Sequence, residues 1–478
     1  MPSGTPAPSH PTPLCVDLDG TLLRTDSLHE ATLLLLKASP LLAFRLPAWL
    51  LRGKAALKHE IASRVTLDPV TLPYHADFLA YLREEHAKGR QLVLVSAANE
   101  TIVHGVARHL GLFDEVIASD DGRNLKGANK RDVLVARFGS GGYDYAGDHH
   151  ADLEVWAAAR AAIVVSNDAG LVRAAGSRVE RVFTAPPRRL ATLARALRVQ
   201  QWVKNLLVFV PLLMAPEARE LPLFLDAFLA FVAFSLSASA VYVTNDLLDL
   251  EADRRHATKR RRPFAAGDLP LALGLVLVPA CLAAAFAVTA LLPAAFLAVL
   301  VVYLMATTAY SFRLKHVPLV DVIVLAMLYT GRVIAGAAAT HVWPSPWILG
   351  FSLFFFLSLA FVKRYSELYA LRQDQPSLKV RGYYPSDLDQ IATNGAVSGY
   401  ISVLVAALYI NSDRVVGLYR HPELLWLICP LLLYWISRIW MLAHRGELHD
   451  DPVLFAIKDR VSYVVGGLIA VVLLAARM

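Results

Sequence analysis

Short apolar runs bounded by polar turns occupy residues 1–190, and long apolar runs fill most of the chain beyond residue 198. In the first region Leu14-Cys15-Val16, Gln91 to Val95, Tyr143 to Ala146 and Ala161 to Val165 read as strands. Helical stretches after Asn99 and after Lys130 alternate with them, the pattern of a parallel α/β sheet. Residues 28–51 are very apolar, yet Lys37, Pro40, Arg45 and Pro47 interrupt them short of a membrane span. They read as a small helical cap over a cleft, either packed on the sheet domain or leaning on a bilayer. Pro186-Pro187-Arg188-Arg189 marks a linker, so residues 1–190 and 191–478 are expected to be separate domains.

Nine later segments each approach the ~20 residues that cross hydrocarbon. They are 199–216, 222–249, 271–290, 292–311, 318–340, 346–369, 388–411, 423–443 and 460–477. The loop after the second carries Arg254, Arg255, Lys259, Arg260, Arg261 and Arg262. Loops after the fourth, sixth and eighth hold Arg313 and Lys315, then Lys363, Arg364, Arg372, Lys379 and Arg381, then Arg445 and Lys458. The connection 341–346 has no Lys or Arg. By the positive-inside rule the basic loops face the cytoplasm of an inner membrane, with the α/β domain on that side and the C-terminus outside. The opening MPSGTPAPSHPT lacks the charged and apolar parts of a signal peptide, so no cleaved signal peptide is expected.

Composition agrees, because 56% hydrophobic and 18% charged residues leave too little polar surface for a soluble chain of 478 residues. Cys15, Cys281 and Cys429 lie far apart, which excludes a disulfide scaffold or a cysteine metal site. The formal charge of +7 clusters beside apolar segments, where lipid headgroups, topology or a phosphate substrate account for it and nucleic acid is not expected. Oligomeric state is left open, a homo-oligomer being compatible.

The sharpest chemistry is Asn245-Asp246-Leu247-Leu248-Asp249-Leu250-Glu251-Ala252-Asp253, at the cytoplasmic end of the second span. The spacing of Asp246, Asp249 and Asp253 stacks them on one helical face. Such carboxylates near hydrocarbon need an opposite charge, which Mg²⁺ supplies most simply. Tyr310, Arg313 and Lys315 followed by Asp321 form a second polar junction, and Arg332 lies deeper in the fifth span, where a phosphate or a carboxylate is its expected mate. Lys204 and Asn205 open the first span, and Lys363, Arg364 and Glu367 lie one turn apart at the end of the sixth. Arg438 within the eighth span is expensive unless used, whereas Asp450, Asp451 and Asp459 read as a solvated loop.

Residues 195–478 resemble the membrane-embedded prenyltransferase superfamily typified by 4-hydroxybenzoate polyprenyltransferase, nine-helix proteins with an N-D-x-x-D-x-x-x-D motif. Asn245, Asp246, Asp249 and Asp253 match that motif in full, and Lys259–Gly267 is similar too. Within the superfamily the sequence is similar to the branch that makes decaprenylphosphoryl-5-phosphoribose. That likeness runs through 201–205, 310–315, 332–336 and 363–368. The usual second D-x-x-x-D is absent, since Leu325 follows Asp321 at that spacing and Tyr310 and Lys315 stand in its place. The resemblance implies a phosphoribosyl diphosphate donor and a polyprenyl phosphate acceptor, with Mg²⁺ on Asp246, Asp249 and Asp253. Lys204, Arg262, Lys315 and Arg332 are then expected on phosphate oxygens, and Asn205, Asn245, Tyr310, Asp321, Lys363 and Arg364 complete the substrate-binding set.

Asp17-Leu18-Asp19-Gly20-Thr21-Leu22 directly follows the first strand. Two carboxylates so spaced let the first attack phosphorus while the second serves as acid and base. The pattern resembles the haloacid-dehalogenase-like phosphatases. Ser96 matches that family's phosphate-holding residue and Lys130 its lysine, with Lys126 as a rival, and the 147–152 segment matches its acidic metal loop. The resemblance implies Asp17 as nucleophile, Asp19 as acid/base, and Mg²⁺ held by Asp17, Asp19 and Asp148 with Asp152 in support. The whole then reads as a Mg²⁺-dependent lipid phosphoribosyltransferase with a phosphomonoesterase domain. Transfer of a prenyl chain to an aromatic acceptor is the alternative; a transporter would favour broken midplane helices and internal repeats instead.

Overall fold

The computed structural model describes residues 12–119, 125–184, 190–213, 220–374, 381–412, 415, 417, 419–448 and 451–478, without the side chains of 54, 55 and 371–374. The expected linker at 186–189, Lys379 and Asp450 lie outside the described residues. The chain forms two compact units, Met1–Leu197 with Tyr242–Val278, and Arg198–Val241 with Pro279–Met478. The acidic segment after the second expected span thus belongs to the same unit as the α/β region.

In the first unit, strands β1 (Leu14–Val16), β2 (Leu92–Asn99), β3 (Glu115–Ser119), β4 (Asp144–Gly147), β5 (Ala162–Val165) and β6 (Val179–Phe183) form one sheet. All pairings are parallel, in the order β3-β2-β1-β4-β5-β6. Side chains alternate between two cores: Leu14, Val16, Leu92 and Leu94 face one, and Cys15, Val93, Val95 and Val164 the other. The chain moves outward from β1 to β3 on one side and from β4 to β6 on the other, so the loops leaving β1 and β4 diverge. A crevice opens at their carboxyl ends, the place where open α/β sheets take ligands.

The expected cap is present as helix α1 (Ser27–Ala38), a 3₁₀ turn at Pro40–Arg45, and short helices Leu46–Leu51 and Lys54–Ala62. Asp26 caps α1 by accepting the Leu28 and His29 amides. Ala31, Leu35, Trp49 and Ile61 pack together beneath it.

Among the described residues eight helices are long and apolar enough to cross a membrane: Leu221–Leu248, Leu271–Thr289, Ala294–Phe312, Val320–Thr340, Pro346–Ala370, Pro385–Ile410, Pro422–His444 and Arg460–Arg477. The division between the units falls inside the first two. The expected span at 199–216 takes another form, a 3₁₀ stretch Val199–Phe209 followed by helix Val210–Leu213, and 214–216 lie outside the described residues. In the second unit Val322, Phe356, Leu359, Trp435 and Ile439 share one core, and Val208, Phe234, Phe296 and Ala335 another.

Helix Val320–Thr340 meets the 3₁₀ stretch at Gly336, where a Cβ would lie 1.9 Å from the Val208 carbonyl oxygen. Gly336→Ala must push the two backbones apart. It is expected to cost about 1–3 kcal/mol and lower the melting temperature in detergent; an unchanged melting curve would show that these backbones do not meet.

Candidate active sites

The crevice of the first unit gathers the phosphatase-like residues. Asp17 leaves β1 with its amide bonded to the Ala146 carbonyl of β4 at 3.0 Å. Gly20 then turns with φ +79°, and a Cβ there would lie 2.1 Å from Asp148 Oδ2, so glycine is what lets the two acidic loops close on one another. Lys130, near the start of helix Ala128–Phe138, donates to Asp17 Oδ1 and to the Tyr145 hydroxyl, both at 2.8 Å. Tyr145 donates to Asp152 Oδ1 at 2.9 Å, and Asp152 Oδ2 accepts the Asp148 and His149 amides at 3.1 and 3.0 Å. Thr21 donates to Asp148 Oδ1 at 3.2 Å. A cavity of about 1310 Å³ is lined by Asp17, Asp19, Ser96, Lys130, Asp148 and Asp152, among others.

One carboxylate oxygen each from Asp17, Asp148 and Asp152 lie within 4.8 Å of one another. Burial, with Asp152 beside it, raises Asp17 above the usual carboxylate range although Lys130 pulls the other way. Burial and the charges of Asp17 and Asp152 carry Asp148 well above that range. Burial also works against the Lys130 charge, but Asp17 and Asp152 outweigh it and hold the ammonium above its ordinary value. One lysine does not balance three acids, and crowded hard oxygens of this kind suit Mg²⁺. The donor set therefore fits the ion expected from the sequence.

Asp19 stands apart from that group: it accepts the Ser27 amide at 2.8 Å and the Ser27 hydroxyl at 3.1 Å. Burial, with Asp26 and Asp17 nearby, raises it to about 7, the range of an acid/base group at neutral pH. Ser96 is buried, with its Oγ accepting the Ala98 amide at 3.0 Å. Lys126 lines the cavity but is exposed, whereas Lys130 is the lysine on Asp17. His149 and His150 are exposed.

The acidic motif does not form one unbroken face. The helix Leu221–Leu248 ends at Asp249, which becomes the N-cap of a separate helix, Leu250–Arg255. Asp246 and Asp253 are buried and share Arg262, whose Nη1 donates to them at 3.1 and 2.6 Å. Asp249 pairs instead with Lys37 of α1 at 3.0 Å. Arg254 donates from both terminal nitrogens to buried Glu30 of α1, at 3.0 and 2.5 Å, and from Nε to the Ala265 carbonyl at 2.8 Å. That last bond folds the 256–264 loop back so that Arg262 meets the motif. The Arg262 guanidinium thus supplies the positive charge on Asp246 and Asp253.

In the second unit, buried Arg332 has neutral hydrogen-bond partners: Nε donates to Asn205 Oδ1 at 2.8 Å and Nη2 to the Tyr303 hydroxyl at 2.9 Å. Lys204 and Lys363 both donate to Asp451 Oδ2, at 2.9 and 3.2 Å. Burial works against that carboxylate, but the two ammoniums outweigh it and hold Asp451 well below the usual range. Asp451 is thus no solvated loop residue, and neither is Asp459, which forks onto Arg438 at 2.8 and 3.0 Å. Arg364 pairs with Asp321 at 2.5 Å, both fully buried, and Tyr383 donates to Asp321 at 2.5 Å. Tyr310 accepts from Arg381 at 3.1 Å. Lys315 is half-buried at its own junction.

The model of the UbiA prenyltransferase family matches residues 206–458, more than half of the chain. The chain belongs to the UbiA prenyltransferase family. Residues 14–157 match the haloacid dehalogenase-like hydrolases. A relative from Sinorhizobium fredii, named uncharacterized protein y4nM, is 39% identical over 465 residues, 96% of this chain and 90% of that protein. Decaprenyl-phosphate phosphoribosyltransferase of Mycobacterium tuberculosis is 40% identical over 294 residues, 59% of this chain and 93% of that enzyme. Among solved structures, a UbiA homolog from Archaeoglobus fulgidus bound to GPP and Mg²⁺ covers 59% of this chain and 99% of its own, with 17% identity and a TM-score of 0.46.

Four residues of this UbiA-family protein escape a reading of the sequence: Tyr145, Glu30, Lys37 and Asp451. Tyr145 looks like any buried aromatic in a strand. Glu30 carried a signal, being a charge inside a very apolar stretch, since such groups are rarely buried unless paired.

The raised carboxyls of the crevice set a pH dependence. Their folded pKa values exceed the unfolded ones, so the contribution to stability is full at low pH and is lost as pH rises through the folded values, about 7 for Asp19. The UbiA-family protein without metal should melt at a lower temperature near about pH 8 than near about pH 6, and Mg²⁺ should close the gap. A melting temperature indifferent to both would mean that the three groups titrate normally.

Proposed function

We propose that this multi-pass membrane protein transfers a 5-phosphoribosyl group from phosphoribosyl diphosphate to a polyprenyl phosphate, and that its α/β domain hydrolyses a phosphomonoester, with the lipid product as its natural substrate. The observation that carries the reading is the presence, in one compact unit, of two acidic sites that each call for a cation and for phosphate chemistry. Support for the donor and acceptor comes from the likeness to the mycobacterial phosphoribosyltransferase. Residues 1–190 and 191–478 are taken as the two functional halves, the first cytoplasmic and the second multi-spanning with an extracytoplasmic C-terminus.

In the transfer, an oxygen of the lipid phosphate attacks the anomeric carbon as its bond to diphosphate breaks, and the diphosphate leaves with the bonding pair. The lipid phosphate is already anionic, so no protein base is needed. Asp246, Asp249 and Asp253 would hold Mg²⁺, with Asn245 beside them. The cations assigned to phosphate oxygens are Lys204, Arg262, Lys315 and Arg332, and Lys363 is assigned to substrate binding. Asn205 keeps the Arg332 guanidinium in place, and the mutual pair of Arg364 and Asp321 braces its helices.

In the hydrolysis, an Asp17 oxygen attacks phosphorus, the ester P–O bond breaks, and Asp19 gives its proton to the departing alkoxide. Asp19 then takes a proton from the water that cleaves the aspartyl phosphate. Ser96 and Lys130 hold phosphate oxygens, and Lys130 also keeps Asp17 aligned. Asp17 and Asp148, with Asp152 in support, would hold Mg²⁺, whose charge would neutralise the phosphoryl oxygens.

The test is incubation of the purified full-length protein with Mg²⁺ and labelled phosphoribosyl diphosphate, with and without polyprenyl phosphate. Labelled lipid is expected only when both substrates are present. Product from an allylic diphosphate and an aromatic acceptor, and none from phosphoribosyl diphosphate, would replace this reading with aromatic prenyl transfer. Asp17→Asn should reduce phosphate release about a thousandfold or more while transfer continues. Loss of both reactions together would show that the two sites do not operate separately.

A further inference from the structure

The cap has two faces, and only one is accounted for. Beneath Pro40–Leu51, Trp49, Leu42 and Leu46 complete the small core with Ala31, Leu35 and Ile61. On its other side Leu41, Phe44, Leu50 and Leu51 are 78%, 83%, 50% and 89% exposed. One exposed leucine needs no explanation, but four large apolar side chains on so short a segment mark a contact surface. Exposed Lys37, Arg45 and Arg52 bracket them.

What covers that surface is indicated by the element just before it. Leu33 of α1 packs in one cluster with Val243 and Leu247, from the end of the apolar helix Leu221–Leu248, and with Leu271, Leu273 and Leu277 of the helix Leu271–Thr289. Lys37, one turn further along α1, reaches Asp249 at the end of the first of these helices. All these residues lie within the same compact unit. Helix α1 therefore runs along the ends of two membrane-crossing helices, at the level where hydrocarbon gives way to headgroups, and the exposed segment begins two residues after α1 ends.

We propose that Pro40–Leu51 is an in-plane membrane anchor. Leu41, Phe44, Leu50 and Leu51 enter the boundary between headgroups and acyl chains of the bilayer that the protein's own helices cross, while Arg45 faces anionic headgroups and Arg52 is held within the cap by Glu60 at 3.1 Å. The apolar, aromatic and basic composition is what an interfacial segment requires, and its length is too short to span.

The full-length protein, with Cys15, Cys281 and Cys429 replaced by alanine, is labelled with an environment-sensitive NBD fluorophore at Phe44→Cys and, separately, at Leu51→Cys. Arg83→Cys, exposed on the helix Ala76–Ala87 of the same unit, is the reference position. Each is placed in vesicles of phosphatidylcholine with a minority of phosphatidylglycerol. NBD at positions 44 and 51 should emit further to the blue than at 83, and should be quenched severalfold more by doxyl-labelled acyl chains and less by aqueous cobalt. Equal aqueous quenching at all three positions would overturn the anchor. So would protection at 44 and 51 from both quenchers, since that would mean a protein surface, such as a second copy of this chain, covers the patch. Neither readout requires activity, so the result stands whatever the transfer assay gives.

Discussion

Carboxylates gathered where water is scarce repel one another and are poorly solvated, and each polar site in this protein is arranged around giving them a positive partner. Several of the partners come from far along the chain. Lys130 reaches Asp17 across 113 residues, Lys37 reaches Asp249 across 212, and Lys204 reaches Asp451 across 247. Neutralisation is therefore a tertiary event, and these sites are assembled only when their unit folds. The raised carboxyls of the crevice, with three acids around one lysine, show where the protein's own cations fall short and an added ion has a place.

The two acidic sites are neutralised to different degrees. In the crevice one lysine is shared among crowded acids, and burial and mutual repulsion raise Asp17 and Asp148 above the usual carboxylate range. At the motif, Arg262 and Lys37 between them engage all three aspartates. A metal or a diphosphate arriving at the motif must compete with, or recruit, side chains already in place, whereas an ion arriving in the crevice meets oxygens that Lys130 alone only partly satisfies.

Much of the fold was legible because its signals are local. Apolar runs at β1, β2, β4 and β5 gave the centre of the sheet, and the D-x-D-G turn after β1 gave the chemistry there. The edge strands β3 and β6 were not legible: Glu115, Glu180 and Arg181 break their apolar pattern, as charged side chains commonly do at a sheet margin. Seven of the apolar helices were found from length and hydropathy with little error in their bounds, and the eighth, Pro385–Ile410, begins three residues earlier than its candidate. The stretch at 199–209 was misjudged because composition reports apolarity but not helix type. In the site, Asp246 and Asp253 find their counter-charge in Arg262, which follows them closely in sequence. The break at Asp249 was invisible, because an ideal helix was assumed through it. Asp451 and Asp459 looked solvated because their partners, Lys204, Lys363 and Arg438, are remote in sequence.

The buried fork between Glu30 and Arg254 bears on how such a chain can be taken apart. Glu30 belongs to the cap and Arg254 to the short helix Leu250–Arg255 that follows a membrane helix, and each is the other's charge partner away from water. A chain carrying the membrane half alone has no Glu30. It must place another acid against this arginine, expose it to solvent, or have a different residue there. Fusion and separation of the two halves in evolution therefore bear on residue 254, and a comparison of fused and stand-alone chains there would read out which proteins have adapted to the loss of Glu30.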